Sequence, residues 1–364
     1  MMRTDIDYRD PKFRKEGFDK FYQFHIETND CSPDIAAENW IADNLNFDFE
    51  KRCVMALFHG ATYAGPCETM FADKFPVFKL EVLPDMIEFF EKNKKRLLFS
   101  PDCKYRKMVF PKFLTSVGKS IEYYGTLGQY IKCKAEYGKV GPNSIDNYTN
   151  LQKACFEDWF HWGRMGHWSF SEALDRFAFP LEAPTMEFGP GGKSHTSGWA
   201  FCMGLDHLVE KMNNDQELSK EQIDDLEKSA NNYILTFANK NPNKLATFFT
   251  LETACCNYKR QNKGSRYGGC YIDEQYDEIM YMKELWKEYD WLWDKYLEAR
   301  QHVFPLSLLF ENFNKDGKAY MNSWCNALKD WGRIPRIEAY FNNEPQNWLS
   351  LEHQSWYGDD IFNR

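Results

Sequence analysis

The stretch Glu187–Gly198, EFGPGGKSHTSG, sets four glycines around Lys193, Ser194 and His195. Residues of these types in this order suit an anion. Glycines permit close backbone approach, successive amides form a nest, and lysine, serine and histidine add donors. Gly191, Gly192, Lys193, Ser194 and His195 are therefore candidate phosphate ligands. The segment that follows, GWAFCMGLDHLVEKM, is helical in pattern and would offer a helix N-terminus to a phosphate. A nucleotide-binding P-loop needs glycine five positions before Gly192, where this chain has Glu187, a carboxylate that would repel a nucleoside triphosphate. Pro180 and Pro184 also make the preceding segment a poor central strand. An ATPase is thereby set aside. A plain surface turn before a helix would use the same letters, and that alternative stays open.

Three further constellations carry reactive groups. HWGRMGHW places His161, Arg164 and His167 within eight residues, with Trp162 and Trp168 beside them. Arginine forks fit phosphate oxygens, histidine exchanges a proton near neutrality, and indoles stack on bases. A core tryptophan pair with surface histidines is the simpler expectation. In ETACCNYKRQNKGSRYGGCYIDE, Glu252, Cys256 and Lys259 share one helical face. Arg260 and Arg266 lie just beyond, then Tyr267, Asp273 and Glu274. A carboxylate among cations suits ammonium binding or general-base work; ordinary ion pairs need the same residues. Vicinal Cys255 and Cys256 are either core thiols or nucleophiles. Finally, FHGATYAGP sets His59 and Tyr63 four apart at a helix end.

The elements that must position these groups are helical throughout. Ser32 and Pro33 open one helix, and SIDNYTNLQKACFEDWFHWG repeats apolar residues at steps of three and four up to Gly163, expected as its C-cap. Ser219 and Gln222 form a capping box ahead of IDDLEKSANNYILTFAN. A further helix carries FTLETACCNYKR, and the longest candidate runs from Glu274 to Phe304, before Pro305. Another ends at Trp331–Gly332. WGR occurs at 162–164 and 331–333, each time expected as a glycine cap followed by a cation at the negative helix end. No alternating strands, repeats or Ser/Gly linkers are present. The expectation is an all-α, multi-helix globular fold with functional glycine-rich loops, one domain over 1–364, its motif-bearing core at 46–304 and a helical extension at 305–364.

Composition narrows the class. Aromatic residues at 17% and hydrophobic ones at 43% argue for a filled core, against disorder. No apolar run approaches a membrane span, and the polar amino terminus lacks a signal-peptide core, so a soluble, non-exported protein is expected. Eleven cysteines without regular spacing suggest reduced thiols. A net charge of -9 argues against bulk attraction to nucleic acid. It leaves room for a local basic groove made by Lys92–Lys107 and Lys259–Arg266.

FHGATYAGP, WGRMGHW, FGPGGKSHTSGW, ETACCNYKR and RYGGCYIDE, in this order, resemble the phage amino acid:DNA transferases of thymine hypermodification. These were once called α-glutamyl/putrescinyl-thymine pyrophosphorylases and are related to the helical domain of hydroxymethyluracil DNA kinases. The resemblance runs from about His59 to Glu274. It implies a helical fold akin to that of DNA glycosylases, which extrude a base into a pocket. It implies an enzyme that displaces pyrophosphate from pyrophosphorylated 5-hydroxymethyluracil in double-stranded DNA with an amino acid or polyamine. Such an enzyme works in the cytoplasm of an infected bacterial host.

On this reading the glycine loop, Arg164 and Arg266 hold the departing pyrophosphate. Glu252 or Asp273 is the base, and His167 is a further acid–base candidate. His59, Tyr63, Trp162, Lys259, Arg260 and Tyr267 contact DNA or the base. A second route adds Cys255, Cys256 or Cys270 to C6 of the uracil. Converging cations suffice without a metal, although pyrophosphate often brings a magnesium ion with it; no all-carboxylate metal site is evident. Two alternatives remain, a non-catalytic reader of modified bases and a glycosylase-like hydrolase.

Overall fold

The structure, a computed structural model, describes residues 10–100, 103–137, 144–262, 269–305 and 309. Among them are fifteen α-helices and no β-strand, the all-α fold expected from the periodicity. In chain order come α1 (Pro11–Glu27), α2 (Pro33–Asn44), α3 (Phe49–Thr62), α4 (Gly65–Lys74) and α5 (Leu83–Asn93). Then follow α6 (Lys104–Ile121), α7 (Leu127–Ala135), α8 (Ser144–Asp158), α9 (Arg164–Phe177) and α10 (Lys193–Cys202). The last five are α11 (Asp206–Asn213), α12 (Lys220–Lys240), α13 (Phe248–Asn262), α14 (Cys270–Leu285) and α15 (Asp290–Val303). The helix expected before Gly332 lies outside the described residues. No described helix is long and apolar enough to cross a membrane.

The helices form two compact units. The first collects the chain up to Pro33, Thr185–Tyr276 and the stretch from Val303; the second collects Asp34–Pro184 and Asp277–His302. In the first, α1 supplies an aromatic face to α10, α12 and α13. Phe18 lies 5.9 Å from Trp199, 5.6 Å from Tyr233 and 5.5 Å from Tyr258, ring centre to ring centre. All four rings are buried. Aromatic pairs at such separations add to the burial of their area, which the high aromatic content anticipated. In the second unit Phe58 stacks on Phe71 at 4.2 Å, and Phe110 joins them to Phe90 and Phe99.

Helix starts follow local chemistry closely. The side chain of Asp10 caps α1 at Lys12 N, that of Asp48 caps α3 at Lys51 N, and both bonds of the Ser219–Gln222 box are made.

Three expectations are corrected. The first concerns α8, which stops at Asp158, well before Gly163. Gly163 is instead extended (φ -114°, ψ -176°) and is the N-cap of α9. Arg164 thus begins a helix rather than ending one. The apolar rhythm continues because Trp159 and Trp162 still face the core, packed on each other at 5.0 Å.

The single long helix from Glu274 is the second: it is two helices, broken at Trp286 (φ -124°, ψ 65°). The Trp286 indole donates to Arg96 O at 3.2 Å, the Trp293 indole donates to Trp286 O at 2.9 Å, and Arg96 donates to Leu285 O. Distant partners satisfy the backbone at the break, so local periodicity does not reveal it.

His167, the third, is not at the surface. It is fully buried and 5.0 Å from the ring of Tyr148, whereas His161 is exposed as expected.

Candidate active site

The glycine loop belongs to the first unit and ends in a tight turn, Pro190–Gly192, that runs directly into α10. Gly189 has φ +142°, a conformation open to glycine alone, so its place in the motif has a backbone reason. Phe188 N donates to Glu227 Oε1 at 2.9 Å, which ties the loop to α12. Thr196 donates to Gly192 O at 2.7 Å and accepts from Gly189 N at 3.4 Å, folding the loop onto the helix it precedes. Lys193, Ser194 and His195 are then the first three residues of α10, where helix amides lack intrahelical partners and the dipole is positive. Lys193 and Ser194 are exposed; His195 is buried. The Lys193 ammonium meets Asp215, an exposed pair that holds the Asp215 carboxyl below its usual range. A cavity of about 240 Å³ adjoins the loop, lined by Gly189, Lys193, Thr196, Met212, Asp215 and Leu218 among others.

α13 lies against α10 and brings the second constellation to the first. Glu252 Oε1 is 3.2 Å from His195 Nδ1, and the side chain retains 19% of its exposure. His195 Nε2 faces Glu187 O at 3.4 Å, and the ring stacks on Phe188 at 5.6 Å. Both ring nitrogens face oxygen atoms. The Cys256 sulfur is 3.5 Å from Ser194 Oγ. Its thiol is pulled down, to about 7, chiefly by a hydrogen bond from Cys255, with help from His195 and Ser194. Cys255 is pushed the other way by burial and donates to Glu252 O at 3.2 Å. Lys259 donates to Ser197 Oγ, closing the far end of the same face. Arg260, one residue on, is half-buried. The helices approach this closely because Gly198 faces α13: a Cβ there would stand 2.9 Å from Cys255 O.

The acidic half of the motif belongs to this unit too. Asp273 is buried in the first turn of α14, with its N–H on Gly269 O at 3.1 Å. Gly269 N in turn donates to Asp30 Oδ2 at 2.9 Å. Asp30 also meets His25 Nδ1 at 3.0 Å, and His25 Nε2 meets the Asn257 amide at 3.1 Å. This buried Asn257–His25–Asp30–Gly269 line ties α13 to Gly269, at the start of α14, through His25 and Asp30. The sequence reading missed it because His25 and Asp30 are separated from their partners by more than two hundred residues. Arg266 and Tyr267 lie outside the described residues.

The other candidates belong to the second unit. Trp162 is buried, its ring stacked on Phe113 at 5.3 Å with the Arg106 guanidinium 4.9 Å away. Arg164 lies over Trp168 at 4.9 Å. Burial lowers His167 to about 3, so its ring is neutral at physiological pH; its Nε2 meets Ser171 Oγ at 3.1 Å. Much of the expected basic stretch is engaged within the chain. Lys92 pairs with Glu88 and Lys94 with Glu91, while Arg96, Arg106 and Lys107 donate to backbone carbonyls.

His59 and Tyr63 stand at the end of α3. Tyr63 caps it in the left-handed region (φ 51°), half-buried, its ring 5.2 Å from that of His59. His59 is buried and its Nδ1 donates to Glu68 Oε2 at 2.7 Å. Glu68 Oε1 accepts from Ala64 N at 2.6 Å and from Thr62 at 3.2 Å. Glu38 Oε2 lies 3.8 Å from the same histidine nitrogen. Its other oxygen is 3.2 Å from the Thr69 hydroxyl and 3.3 Å from that of Tyr296. Burial, then the charge of Glu68, pushes the Glu38 carboxyl well above the usual range. Burial would lower His59, but Glu68 outweighs it and raises the ring. Glu38 and Glu68 escaped the sequence reading. Their only local mark is a carboxylate at a position whose neighbours all pattern as core.

Comparison with known proteins places these residues in context. The family model described as "Amino acid:DNA transferase" matches residues 68–267, more than half of the chain. A serinyltransferase of Salmonella phage ViI is 26% identical over 293 residues, which cover 72% of this chain and 66% of the relative. The chain thus spans just under two thirds of that relative's length. No solved structure matches.

Proposed function

As this chain belongs to the amino acid:DNA transferase family, we propose that it is a transferase joining an amino acid or amine to a modified base in DNA. Its substrate in this reading is pyrophosphorylated 5-hydroxymethyluracil, and pyrophosphate is the group displaced. The observation that carries the reading is the His195–Glu252 pair, set at 3.2 Å beside the start of α10 and the glycine loop. A proton acceptor and an anion cradle occupy adjacent turns of structure.

The steps follow from that adjacency. An amine reaches the site mostly as ammonium, which has no lone pair. Glu252, partly exposed, takes the proton and leaves the amine nucleophilic. The nitrogen lone pair then forms a bond to the exocyclic methylene carbon of the base. The bond from that carbon to the pyrophosphate oxygen breaks, and its electron pair leaves with pyrophosphate. The α10 amides, Ser194 and Lys193 stabilise the charge that develops there. The exposed Lys193–Asp215 pair is one that a polyphosphate can replace. The second proton of the new ammonium passes to solvent.

Direct displacement is favoured because the carbon is benzylic-like and parts readily from pyrophosphate. The half-buried Cys256, with its lowered thiol, supports the alternative addition to C6, after which pyrophosphate leaves, the amine adds to the exocyclic methylene, and the S–C6 bond breaks to return the thiolate and restore the 5,6 double bond. Asp273 orients the incoming amine in this scheme. Lys259, Arg260, Arg266, Tyr267 and Tyr63 remain the proposed DNA contacts, whereas His59 and Trp162 are buried and leave that role. Magnesium, if used, enters with pyrophosphate. The relative's name makes serine the first amino acid to try.

Mass spectrometry of nucleosides tests this directly. DNA carrying pyrophosphorylated hydroxymethyluracil is incubated with the protein and a mixture of amino acids and polyamines. The expected result is one new adduct with equimolar pyrophosphate. Tight binding with no adduct points to a reader, and free base points to a hydrolase. A Cys256→Ser variant that keeps activity within a few fold supports direct displacement; a loss beyond a hundredfold supports the thiolate route.

A further inference from the structure

Glu38, His59 and Glu68 present a second chemistry, in the other unit, that the proposed transfer does not use. Glu38 and Glu68 are fully buried, and His59 nearly so. Among the described residues no lysine or arginine pairs with either carboxylate; His59 is the partner of both. Asp34 and Glu172 add further negative potential at His59. Glu38 Oε2 has no hydrogen-bond partner, although it is buried and aimed at His59. The other donor atoms around it are well supported, since Thr69 and Tyr296 hold Glu38 Oε1 while Thr62 and Ala64 N hold Glu68 Oε1. Three ligand atoms are oriented, and one of them, Glu38 Oε2, is buried without a hydrogen bond.

We propose that Glu38, His59 and Glu68 bind one divalent transition cation of the Mn²⁺ class, which ties α2, α3 and α4 together. One nitrogen, from His59, and two carboxylate oxygens lie within 4.8 Å of one another. Bonds of about 2.1 Å bridge ligand atoms up to about 4.2 Å apart. The 3.8 Å between Glu38 and His59 fits, and the 2.7 Å between His59 and Glu68 opens slightly. An imidazole with two carboxylates favours borderline cations over calcium, and the absence of thiolate disfavours copper(I). Thr69, Tyr296, Thr62 and Ala64 N are the outer groups that orient the ligands. The competing arrangement is a proton shared between Glu38 and Glu68, with no metal.

Mn²⁺ alone is the probe, because the eleven cysteines compete for softer ions. The full chain, stripped with EDTA, is titrated with Mn²⁺ while the six-line EPR signal of the free ion is followed. One equivalent bound per chain is expected, with a melting temperature at least about 5 °C higher at saturation. Glu38→Gln and Glu68→Gln should each weaken binding more than tenfold while keeping the helical circular dichroism. A wild-type chain that binds no Mn²⁺ and melts identically with EDTA and with Mn²⁺ overturns the proposal, whatever the variants do. So does a folded Glu38→Gln chain that binds Mn²⁺ as well as the wild type. A Glu38→Gln chain stabilised relative to a metal-indifferent wild type identifies the shared proton instead.

Discussion

Glu252 has two duties in the proposed reaction, holding His195 and accepting a proton, and a single substitution separates them. Glu252→Gln keeps a hydrogen-bonding side chain but removes the base. The rate of adduct formation is expected to fall by about a hundredfold or more, with DNA binding unchanged in a gel-shift titration. Equal loss of binding and rate would make Glu252 a packing residue. Cys256 makes a prediction that needs no substrate. Its thiol is lowered, chiefly by Cys255, so iodoacetamide should label it with a midpoint near pH 7, where an ordinary thiol requires about pH 8.5. Peptide mass spectrometry across pH 6–10 reads this, and Cys255 should stay unlabelled throughout. The sequence displayed the reactive residues Lys193, Ser194, His195, Glu252 and Cys256 because each sits in a dense local motif. It did not display Glu38 or Glu68, since nothing local distinguishes a buried carboxylate with a partner from an exposed one without.

At the scale of elements, the candidate site depends on how closely α10 and α13 approach. Gly198→Ala would force a methyl to within 2.9 Å of Cys255 O, a backbone atom that cannot swing away. A destabilisation of about 1–3 kcal/mol is expected from chemical denaturation, with adduct formation reduced more than stability alone explains. A variant as stable and active as the wild type would show that the helices tolerate separation. Helix beginnings were legible because capping is local: Pro33 and the Ser219–Gln222 box open helices where expected. Helix ends were less so. Gly163 looked like a C-cap and proved to be an N-cap, and Trp286 interrupts an unbroken apolar rhythm. In both places the deciding contacts come from residues far away in sequence, Ser120 bonding the Trp159 indole and Arg96 the end of α14.

For the whole molecule, stability against acid has an identifiable contributor. His167 is neutral when folded because burial lowers it to about 3, whereas an unfolded chain protonates it near 6.5. The unfolded state therefore binds the extra proton as pH falls, so this contribution is complete above 6.5 and diminishes toward 3. From neutral pH down to 5 it should cost about 2 kcal/mol, read as the change in urea midpoint of the second unit. His167→Gln should flatten that part of the profile; an unchanged slope would assign it elsewhere. The helical class of the molecule was plain from periodicity, and its two compact units interleave along the chain. That interleaving has a consequence for synthesis. α1 leaves the ribosome with Phe18, Phe21 and Tyr22 exposed, and Trp199, which covers Phe18, follows 181 residues later. At about 5–20 residues per second the wait is roughly ten to forty seconds. Throughout it, the nascent chain carries an uncovered aromatic segment, an opening for a chaperone or for aggregation.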